Sequence, residues 1–499
     1  MKKLLTLLLI VSMLTVSAAS CSGSGNSDVS GDTSADTGES AAETTTVNEG
    51  YDYSGIDYDG YSFRVLNIDE QFGCYIRADI GEQTGEMLDD SVYTRNRKAE
   101  EDMGIKIEEI IIGGGSVWST GQIGLCEAFI NNIMAGDDYC DVAILPIYFK
   151  PSVITDGYAL DLLDIPELDL YAEYWDAPVN ESLTVKDSLY TAAGPFSLMA
   201  LDLTWGLLFN ENMMNNLGLE LPYQLVRDGK WTIEKFGEYA ASAVSLNGDE
   251  SFTPRADGNA VYGIAGHSHQ PVVMLYSANV DFGERTPDGG MELTYGGERM
   301  FTVLDALSAV CKTGNGSIFY NNGGLDVPLG YMSMFAADRA LFMTCELKSA
   351  MEERSMESTF GLVPMPKLNE AQEEYRSYVA YNTAFFVMPT TQKDTSRAGT
   401  ILDALNYESY VQTLPVYYDV TLSQKGLRNE ESIEMLKIIR DNRGADFIAV
   451  YSITADLNNN LANLFKWQGG DVSTVPSMLE SARSAAEVKL KDIVDMMGK

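Results

Sequence analysis

His267 and His269 are the only two histidines in the chain of 499 residues, and one residue separates them. An HxH pair can bind a metal ion, but structural zinc sites use four protein ligands and catalytic sites three. The sequence has no other histidine to complete such a set, and no cysteine lies close by. We therefore expect neither a metal site nor histidine-based catalysis.

Other catalytic motifs are missing from the sequence as well. It contains no GxSxG, HExxH or EF-hand pattern, and Gly113-Gly114-Gly115-Ser116 lacks the lysine of a phosphate-binding loop. We expect no cofactor and no catalytic residue. A pair of carboxylates for glycoside hydrolysis stays open, because any two of the 73 acidic residues can meet in the fold.

Polar and aromatic residues follow two apolar segments that read as strands. Asp69 and Glu70 come directly after the first segment, and Tyr148 follows the third strand. The predicted order is strand 61–68, helix 86–103, strand 105–112, helix 122–135 and strand 141–145. This alternation predicts a parallel sheet with right-handed crossovers, and ligands bind beyond the carboxyl ends of such strands. Asp69, Glu70 and Tyr148 are therefore candidate ligand contacts.

The remaining pattern is too long for one doubly wound sheet. Further strands are predicted at 206–210, 261–265, 360–363 and 384–388, and further helices at 231–245, 300–311, 396–406, 430–441, 453–465 and 475–497. Two α/β lobes, each a sheet flanked by helices, accommodate this number of elements.

The charge of the chain excludes several partners. With 34 basic and 73 acidic residues the formal net charge is −39. Such a surface repels phosphate backbones, so we expect no nucleic-acid binding. It also repels anionic lipid surfaces, so any attachment to a membrane must be covalent or inserted.

The amino terminus has the pattern of a secretory signal peptide over residues 1–20. A basic start, Met1-Lys2-Lys3, precedes an apolar run and small residues. Ala18-Ala19-Ser20-Cys21 resembles the bacterial lipobox, although Ala18 replaces the usual leucine, and it predicts lipidation of Cys21. Residues 21–50 are small, polar and acidic, which predicts a disordered tether. The alternative is plain secretion with cleavage near Ala19.

Five further cysteines show no CxxC spacing. Most of them read as small buried apolar residues. Cys126 and Cys140, which flank one predicted helix, have the strongest case for a disulfide.

Several motifs occur together in an order that resembles bacterial extracellular solute-binding proteins serving carbohydrate ABC importers. The likeness covers nearly all of residues 56–497. It rests on Gly85-Glu86-Met87-Leu88-Asp89-Asp90-Ser91-Val92, Arg95-Asn96-Arg97, Asp141-Val142, Leu207-Leu208-Phe209-Asn210-Glu211, Trp231-Thr232-Ile233-Glu234-Lys235-Phe236, Tyr262-Gly263-Ile264, Phe335 with Arg339-Ala340-Leu341, and Phe360-Gly361-Leu362-Val363-Pro364-Met365-Pro366.

The resemblance implies a periplasmic-binding-protein-like fold of two lobes joined by a hinge, with a solute held between them. Lobe one would comprise 51–200 plus 383–444, and lobe two 201–382 plus 445–499. Differential affinity for the closed state would close the lobes on the solute. The implied function is capture of a solute, expected to be a carbohydrate, by a monomeric lipoprotein that delivers it to the transmembrane subunits of a permease.

The resemblance also supplies candidate ligand contacts near the crossings and after the strands of lobe two. They are Asp202, Trp205, His267, His269, Gln270, Glu346, Tyr381, Tyr417 and Tyr451. Trp205 can stack on a pyranose ring, whereas Thr344-Cys345-Glu346 stands where many relatives carry a stacking tryptophan. A packing or turn role is the alternative for each candidate. No lysine or arginine is among them, which favours a neutral or cationic solute.

This interpretation places the protein on the outer face of the cytoplasmic membrane, held by its lipid, in a Gram-positive bacterium. A secreted enzyme acting on glycans is one alternative. A surface protein whose binding serves adhesion or sensing is the other.

Overall fold

A computed structural model describes residues 50–115, 119–253, 255–312, 316–319, 330–352, 356–422, 430–467 and 469–498. The predicted signal peptide, Cys21 and nearly all of the predicted tether lie outside these residues. The chain from Tyr51 onward forms one compact unit.

The strands are short and the helices are numerous. The strands are β1 (Tyr61–Ile68), β2 (Ile105–Ile112), β3 (Val142–Leu145), β4 (Trp205–Asn210), β5 (Tyr262–Gly266), β6 (Gly283–Arg285), β7 (Met291–Leu293), β8 (Ser317–Phe319), β9 (Ala340–Glu346), β10 (Phe360–Val363), β11 (Ser377–Tyr378), β12 (Phe385–Val387) and β13 (Arg443–Gly444). The helices are α1 (Met87–Met103), α2 (Thr120–Ala135), α3 (Ser152–Thr155), α4 (Ala177–Leu183), α5 (Met199–Asp202), α6 (Glu211–Leu217), α7 (Tyr223–Arg227), α8 (Ile233–Ala243), α9 (Gln270–Ser277), α10 (Glu298–Val310), α11 (Tyr331–Ala336), α12 (Leu347–Glu352), α13 (Thr395–Glu408), α14 (Leu414–Leu422), α15 (Glu430–Asp441), α16 (Phe447–Val450), α17 (Ala455–Trp467) and α18 (Val475–Met497).

The first sheet has the strand order β12-β3-β1-β2. β1 pairs in parallel with both β2 and β3, which confirms the parallel sheet predicted from the sequence. β12 joins the edge antiparallel to β3, with Phe386 opposite Ile144. α1 and α2 make the two crossovers, and Gly104 ends α1 in the left-handed conformation, with φ of 62°. The chain therefore returns to this sheet after a long excursion.

The second sheet has the order β10-β4-β9-β5-β8 and is built from the excursion. Its central strand β9 pairs antiparallel with β4 and parallel with β5. β9 is not predictable from the sequence pattern, because its first six residues are all buried and the strand shows no alternation of apolar and polar positions. Both sheets are flanked by helices, as predicted.

Three chain segments run side by side where the chain passes between the sheets. β11 pairs in parallel with β13, and Thr204 bridges to Val379. α15 packs on β10 of the second sheet through Leu436 and Ile439. The lobe boundaries stay a prediction, and this packing places α15 beside the sheet that the prediction assigned to lobe two.

A buried carboxylate fastens the first described residues to α13. Asp403 accepts hydrogen bonds from the Tyr51 hydroxyl (3.1 Å), the Tyr174 hydroxyl (2.9 Å), the Trp175 indole N–H (2.8 Å) and the Asp169 backbone N–H (3.1 Å). One turn further along α13, Glu408 accepts from the Tyr53 hydroxyl at 2.7 Å. We call this set, Tyr51 and Tyr53 bound to Asp403 and Glu408, the tyrosine clamp.

The cysteines of the described residues form no disulfide. Cys126 and Cys140 are free thiols, so the disulfide hypothesis is wrong. Burial raises the pKa of each of these two thiols to about 12, so both stay protonated and apolar.

Within the described ranges, no helix combines the length and the apolar character needed to cross a bilayer.

Candidate functional site

A cavity of about 640 Å³ lies where the segment after β1, the second sheet and the crossing segments meet. This volume is within the range of small-molecule binding sites. The lining is mixed aromatic and polar, and it comes from distant parts of the chain. It consists of Phe72, Trp205, His267, Ser268, His269, Val272, Tyr331, Met332, Glu346, Lys348, Ser349, Tyr378, Ala380, Tyr381, Asn382, Asn459, Ala462 and Asn463.

Trp205 occupies one wall of the cavity at the first residue of β4. Strand pairing sets it directly opposite Glu346, the last residue of β9, so both side chains stand on the same face of the sheet. Trp205 is only 3% exposed, and its indole Nε1 has no hydrogen-bond partner among the described residues. A buried N–H without an acceptor is costly, and a ligand oxygen would remove that cost.

The two histidines lie together beside this tryptophan. The His267 ring centroid is 5.5 Å from that of Trp205 and 5.0 Å from that of His269, to which it is stacked. The His269 Nε2 atom is 2.9 Å from the Tyr381 hydroxyl. Tyr148 packs on Tyr381 with ring centroids 4.4 Å apart. Four predicted site residues from three segments thus join Trp205 in one aromatic cluster.

The cavity also contains an ion pair. Lys348 Nζ lies 3.8 Å from a carboxylate oxygen of Glu346, and it donates a hydrogen bond to the backbone carbonyl of Phe72. Lys348 is 8% exposed. No lysine or arginine is among the candidates predicted from the sequence, so Lys348 is an addition to that set. Because Glu346 is negative and Lys348 is positive, the pair has no net charge.

Amide side chains contribute a further polar wall. Asn459 and Asn463 lie one turn apart on α17, and Asn382 lies in the crossing segment after Tyr381. Each amide offers two donors and an acceptor, which suits sugar hydroxyls. The α17 pair is not among the predicted candidates, because polar residues at helical spacing look the same on a solvated face.

Asp69 and Glu70 do not line the cavity. Asp69 accepts backbone hydrogen bonds from Gly114 (3.0 Å) and Gly115 (2.8 Å), which hold its pKa below the usual value. Glu70 accepts from the Gly73 backbone N–H at 2.8 Å. Both carboxylates therefore organise turns beyond the strand ends, and their contact with a ligand stays a prediction.

Three more candidates are buried away from the cavity. Gln270 accepts a hydrogen bond from the Thr344 hydroxyl at 2.7 Å, and the Tyr451 hydroxyl lies 3.2 Å from that of Thr191. Tyr417 is fully buried and donates to Asp202 at 2.8 Å. Their polar atoms have protein partners and none of the three lines the cavity, so their contact with a solute stays a prediction.

Asp202 is fully buried in the first crossing segment. Besides the Tyr417 hydroxyl it accepts the Tyr75 backbone N–H at 2.6 Å, so both carboxylate oxygens are occupied. Desolvation raises the pKa of Asp202 to about 6, against the effect of its two hydrogen bonds. It fixes the segment after β1 to the crossing and does not reach the ligand cavity.

Asp202→Asn is expected to raise the free energy of unfolding at pH 8 by about 1–2 kcal/mol. The pKa of Asp202 is raised in the fold, so its protonation stabilises the fold below about pH 4, and this stability is lost as pH rises through about 6. An asparagine keeps an acceptor for Tyr75 and removes the buried charge. Urea unfolding of both proteins between pH 4 and 8 measures the effect.

The comparison also controls for Asp446, a second buried carboxyl whose pKa burial raises to about 7. Both proteins retain Asp446, so its contribution cancels in the difference between the two pH curves. Parallel curves for wild type and Asp202→Asn would contradict the prediction.

The cavity lining offers groups that suit a polar solute. Aromatic faces, amides and one neutral ion pair can hold a polar solute by stacking and hydrogen bonding. In the part of the chain that the structure describes, no three His, Cys, Asp or Glu side chains are grouped to hold a metal ion.

Several solved structures of other proteins resemble this fold. No protein-family model and no curated protein matches the chain. A cyclo/maltodextrin-binding protein complexed with maltotetraose matches with a TM-score of 0.53 and 12% identity over 87% of this chain and 96% of the other. The GacH receptor of Streptomyces glaucescens, solved unliganded and with acarbose, matches with a TM-score of 0.52 and 11% identity over 87% and 99% of the two chains.

A third solved structure is an ABC substrate-binding protein from Listeria monocytogenes in complex with cycloalternan. Its TM-score is 0.51 and its identity 11%, over 88% of this chain and all of the other. At such identities the likeness shows the fold. The predicted two-lobed, periplasmic-binding-protein-like fold is thereby confirmed.

Proposed function

We propose that this protein captures a carbohydrate between two lobes and delivers it to an ABC permease. The observation that carries the proposal is the cavity between the segment after β1, the second sheet and the crossing segments, with Trp205 buried in its wall and an indole N–H that has no partner among the described residues. The fold shared with a maltotetraose-binding and an acarbose-binding protein supports it. Stacking on a ring and donation to its oxygens are what a sugar requires.

The arrangement of the chain supports closure as the mechanism. Cavity residues come from the second sheet and from the segment after β1, and Tyr378 of β11 in the crossing also lines the cavity. A solute that touches both sides binds the closed state more tightly, and this difference in affinity closes the lobes. The closed form is the one that a permease would recognise.

The solute class that fits best is neutral. Lys348 is paired with Glu346, so the cavity has no excess positive charge to bind a carboxylate or phosphate. The net charge of −39 also raises the cost of approach for anions, although salt screens it beyond about 8–10 Å.

A sugar that binds the native state is expected to raise the melting temperature. The gain is about 2.7 kcal/mol when the free sugar is at a hundred times its dissociation constant. Thermal unfolding with maltotetraose, acarbose and cycloalternan tests this, and glucose 6-phosphate serves as a matched anion. Stabilisation by the phosphate alone would contradict the proposed solute class.

The same sugars separate binding from the alternative of a glycan-active enzyme. A binding protein returns each sugar unchanged after prolonged incubation, whereas a hydrolase releases shorter products. Chromatography of the incubated sugars decides between the two.

A role in adhesion or sensing is tested by deletion of the gene. If the protein serves adhesion or sensing and not import, sugar uptake should survive the deletion.

The proposed location is the outer face of the cytoplasmic membrane, with the lipid on Cys21. Cys21→Ala removes the acceptor of the lipid, so we expect the protein to move from the membrane fraction into the medium. Cys74→Ala is the matched control, since it alters a thiol inside the folded body. A Cys21→Ala protein that still sediments with membranes would contradict the anchor.

A further inference from the structure

A turn in one half of the body is bound to a hairpin in the other half. The turn is residues 185–188, in which Val185 and Ser188 exchange backbone hydrogen bonds. The hairpin is formed by β6 and β7, and its tip contains Asp288 and Gly289. The Lys186 backbone N–H donates to the Gly289 carbonyl at 2.8 Å, and the Lys186 ammonium pairs with the Asp288 carboxylate.

A second cation joins the hairpin to the same part of the chain. The guanidinium of Arg285 in β6 donates to the backbone carbonyls of Glu181 and Thr184, at the C-terminal end of α4. Carbonyls in the last turn of a helix carry partial negative charge, which a guanidinium stabilises. We call the contacts of Lys186 and Arg285 the latch.

The two sides of the latch are packed on different sheets. Shortly after the turn, Ala192 bridges to Phe386 of β12 in the first sheet. The hairpin packs through β7 on α18, and α18 packs on α17, which contacts β8 of the second sheet. The Ser188 hydroxyl also donates to the carbonyl of Met497 at the end of α18, at 2.7 Å. The latch therefore joins the half built on the first sheet to the half built on the second.

The latch lies beside the crossing segments and outside the solute cavity. It borders a groove of about 690 Å³, which is lined by Arg285 together with Arg443 and Gly444 of β13. No latch residue is part of the lining of the solute cavity. Across that cavity, Lys348 of the second half donates to the Phe72 carbonyl of the first half, so the halves also meet there in the same conformation.

We propose that the latch holds the two halves at the angle at which the solute cavity is complete, which makes Lys186 and Arg285 positioning residues for solute capture. A rotation of one half about the crossing segments would separate the groups that the latch joins. Breaking the latch therefore lowers the population of the closed form, and the affinity for the solute falls with that population. The effect on affinity rests on the proposed function, whereas the effect on the angle does not.

The backbone of the turn supports this role. Lys186 and Asp187 have φ angles of 53° and 56°, in the left-handed region that residues other than glycine, asparagine and aspartate seldom adopt. A two-residue turn with two positive φ angles ordinarily carries Asn-Gly or Asp-Gly. Such a conformation persists where neighbouring contacts hold it, and Lys186 supplies those contacts through its backbone and its side chain.

Small-angle X-ray scattering of the full chain without sugar tests the angle. Lys186→Ala/Arg285→Ala removes both cations, and we expect a larger radius of gyration than in wild type because the halves can rotate apart. Arg227→Ala/Lys491→Ala is the matched control, since it removes one arginine and one lysine from surface ion pairs outside the latch. Equal radii in wild type and the latch variant, or an equal increase in the control, would overturn the proposal.

A charge swap guards against a latch variant that fails to fold. The Asp288 side chain is 71% exposed, so Asp288→Lys should fold and place two like charges at the latch. We expect Asp288→Lys to enlarge the radius of gyration, and Lys186→Asp/Asp288→Lys to restore most of the wild-type value. An unchanged radius in Asp288→Lys would contradict the latch, and so would a double variant that shows no recovery.

Calorimetry with maltotetraose tests the consequence for the solute. We expect the dissociation constant of the latch variant to rise roughly 3- to 10-fold and that of the control to stay at the wild-type value. A latch variant that binds maltotetraose as tightly as wild type would overturn the positioning role. If neither maltotetraose nor any other sugar of the panel binds, the proposed function fails, and the scattering measurement still decides whether the latch sets the angle.

Discussion

Asp403→Ala is expected to lower the free energy of unfolding by about 2–5 kcal/mol. The change leaves the Trp175 indole N–H and the Asp169 backbone N–H without their acceptor, and each buried donor left unpaired costs about 1–3 kcal/mol. The Tyr51 and Tyr174 hydroxyls lose the same partner. Urea unfolding followed by tryptophan fluorescence measures the loss, provided that the slope against urea stays constant.

A surface carboxylate provides the matched control for this change. Asp495 pairs with Lys491 one turn away on α18, and its side chain is 59% exposed. Asp495→Ala should therefore change the stability by no more than about 0.5 kcal/mol. Similar losses in the two variants would contradict the importance of the tyrosine clamp. Asp403→Asn keeps one acceptor oxygen and should lose less than Asp403→Ala.

Trp205→Ala is expected to weaken sugar binding by about 1–3 kcal/mol, or roughly 5- to 150-fold in the dissociation constant. The variant removes a buried ring face and the indole N–H of the cavity wall. Calorimetry with whichever panel sugar stabilises the wild type most gives the two dissociation constants.

Two further variants separate the contributions of this side chain. Trp205→Phe keeps an aromatic face without the N–H, so its affinity should lie between those of wild type and Trp205→Ala. Tyr171→Ala removes a 40% exposed ring outside the cavity and should leave the affinity unchanged. An unaltered affinity in Trp205→Ala would contradict its assignment as a ligand contact.

Much of the fold was predictable because local signals agreed with the final packing. The predicted boundaries of β1, α1, β2, α2 and β3 agree with the structure to within about two residues. The ends of both helices are predictable because glycines at 104 and 136 end them in the left-handed conformation. β9 was missed because a strand buried on both faces shows no period. Its partners are set by tertiary contacts alone.

The site was predictable only in part, for a related reason. Trp205, His267, His269, Glu346 and Tyr381 line the cavity, and Tyr148 packs against Tyr381. Asp69, Glu70 and Asp202 do not line the cavity, and their carboxylates accept backbone N–H groups. In the sequence, such a carboxylate looks the same as one that binds a ligand. Lys348, Asn459 and Asn463 also line the cavity. No sequence pattern around these three residues indicates that position.

The tyrosine clamp has a mechanical consequence. If residues 21–50 connect the body to a membrane, a pull along them enters the body at Tyr51 and Tyr53. The clamp passes this load sideways into α13 before it reaches β1, which is an inner strand of its sheet. Without the clamp the same pull would act on β1 directly and draw it away from its two neighbours. With such a connection, the clamp would direct the load to α13 and spare the first sheet.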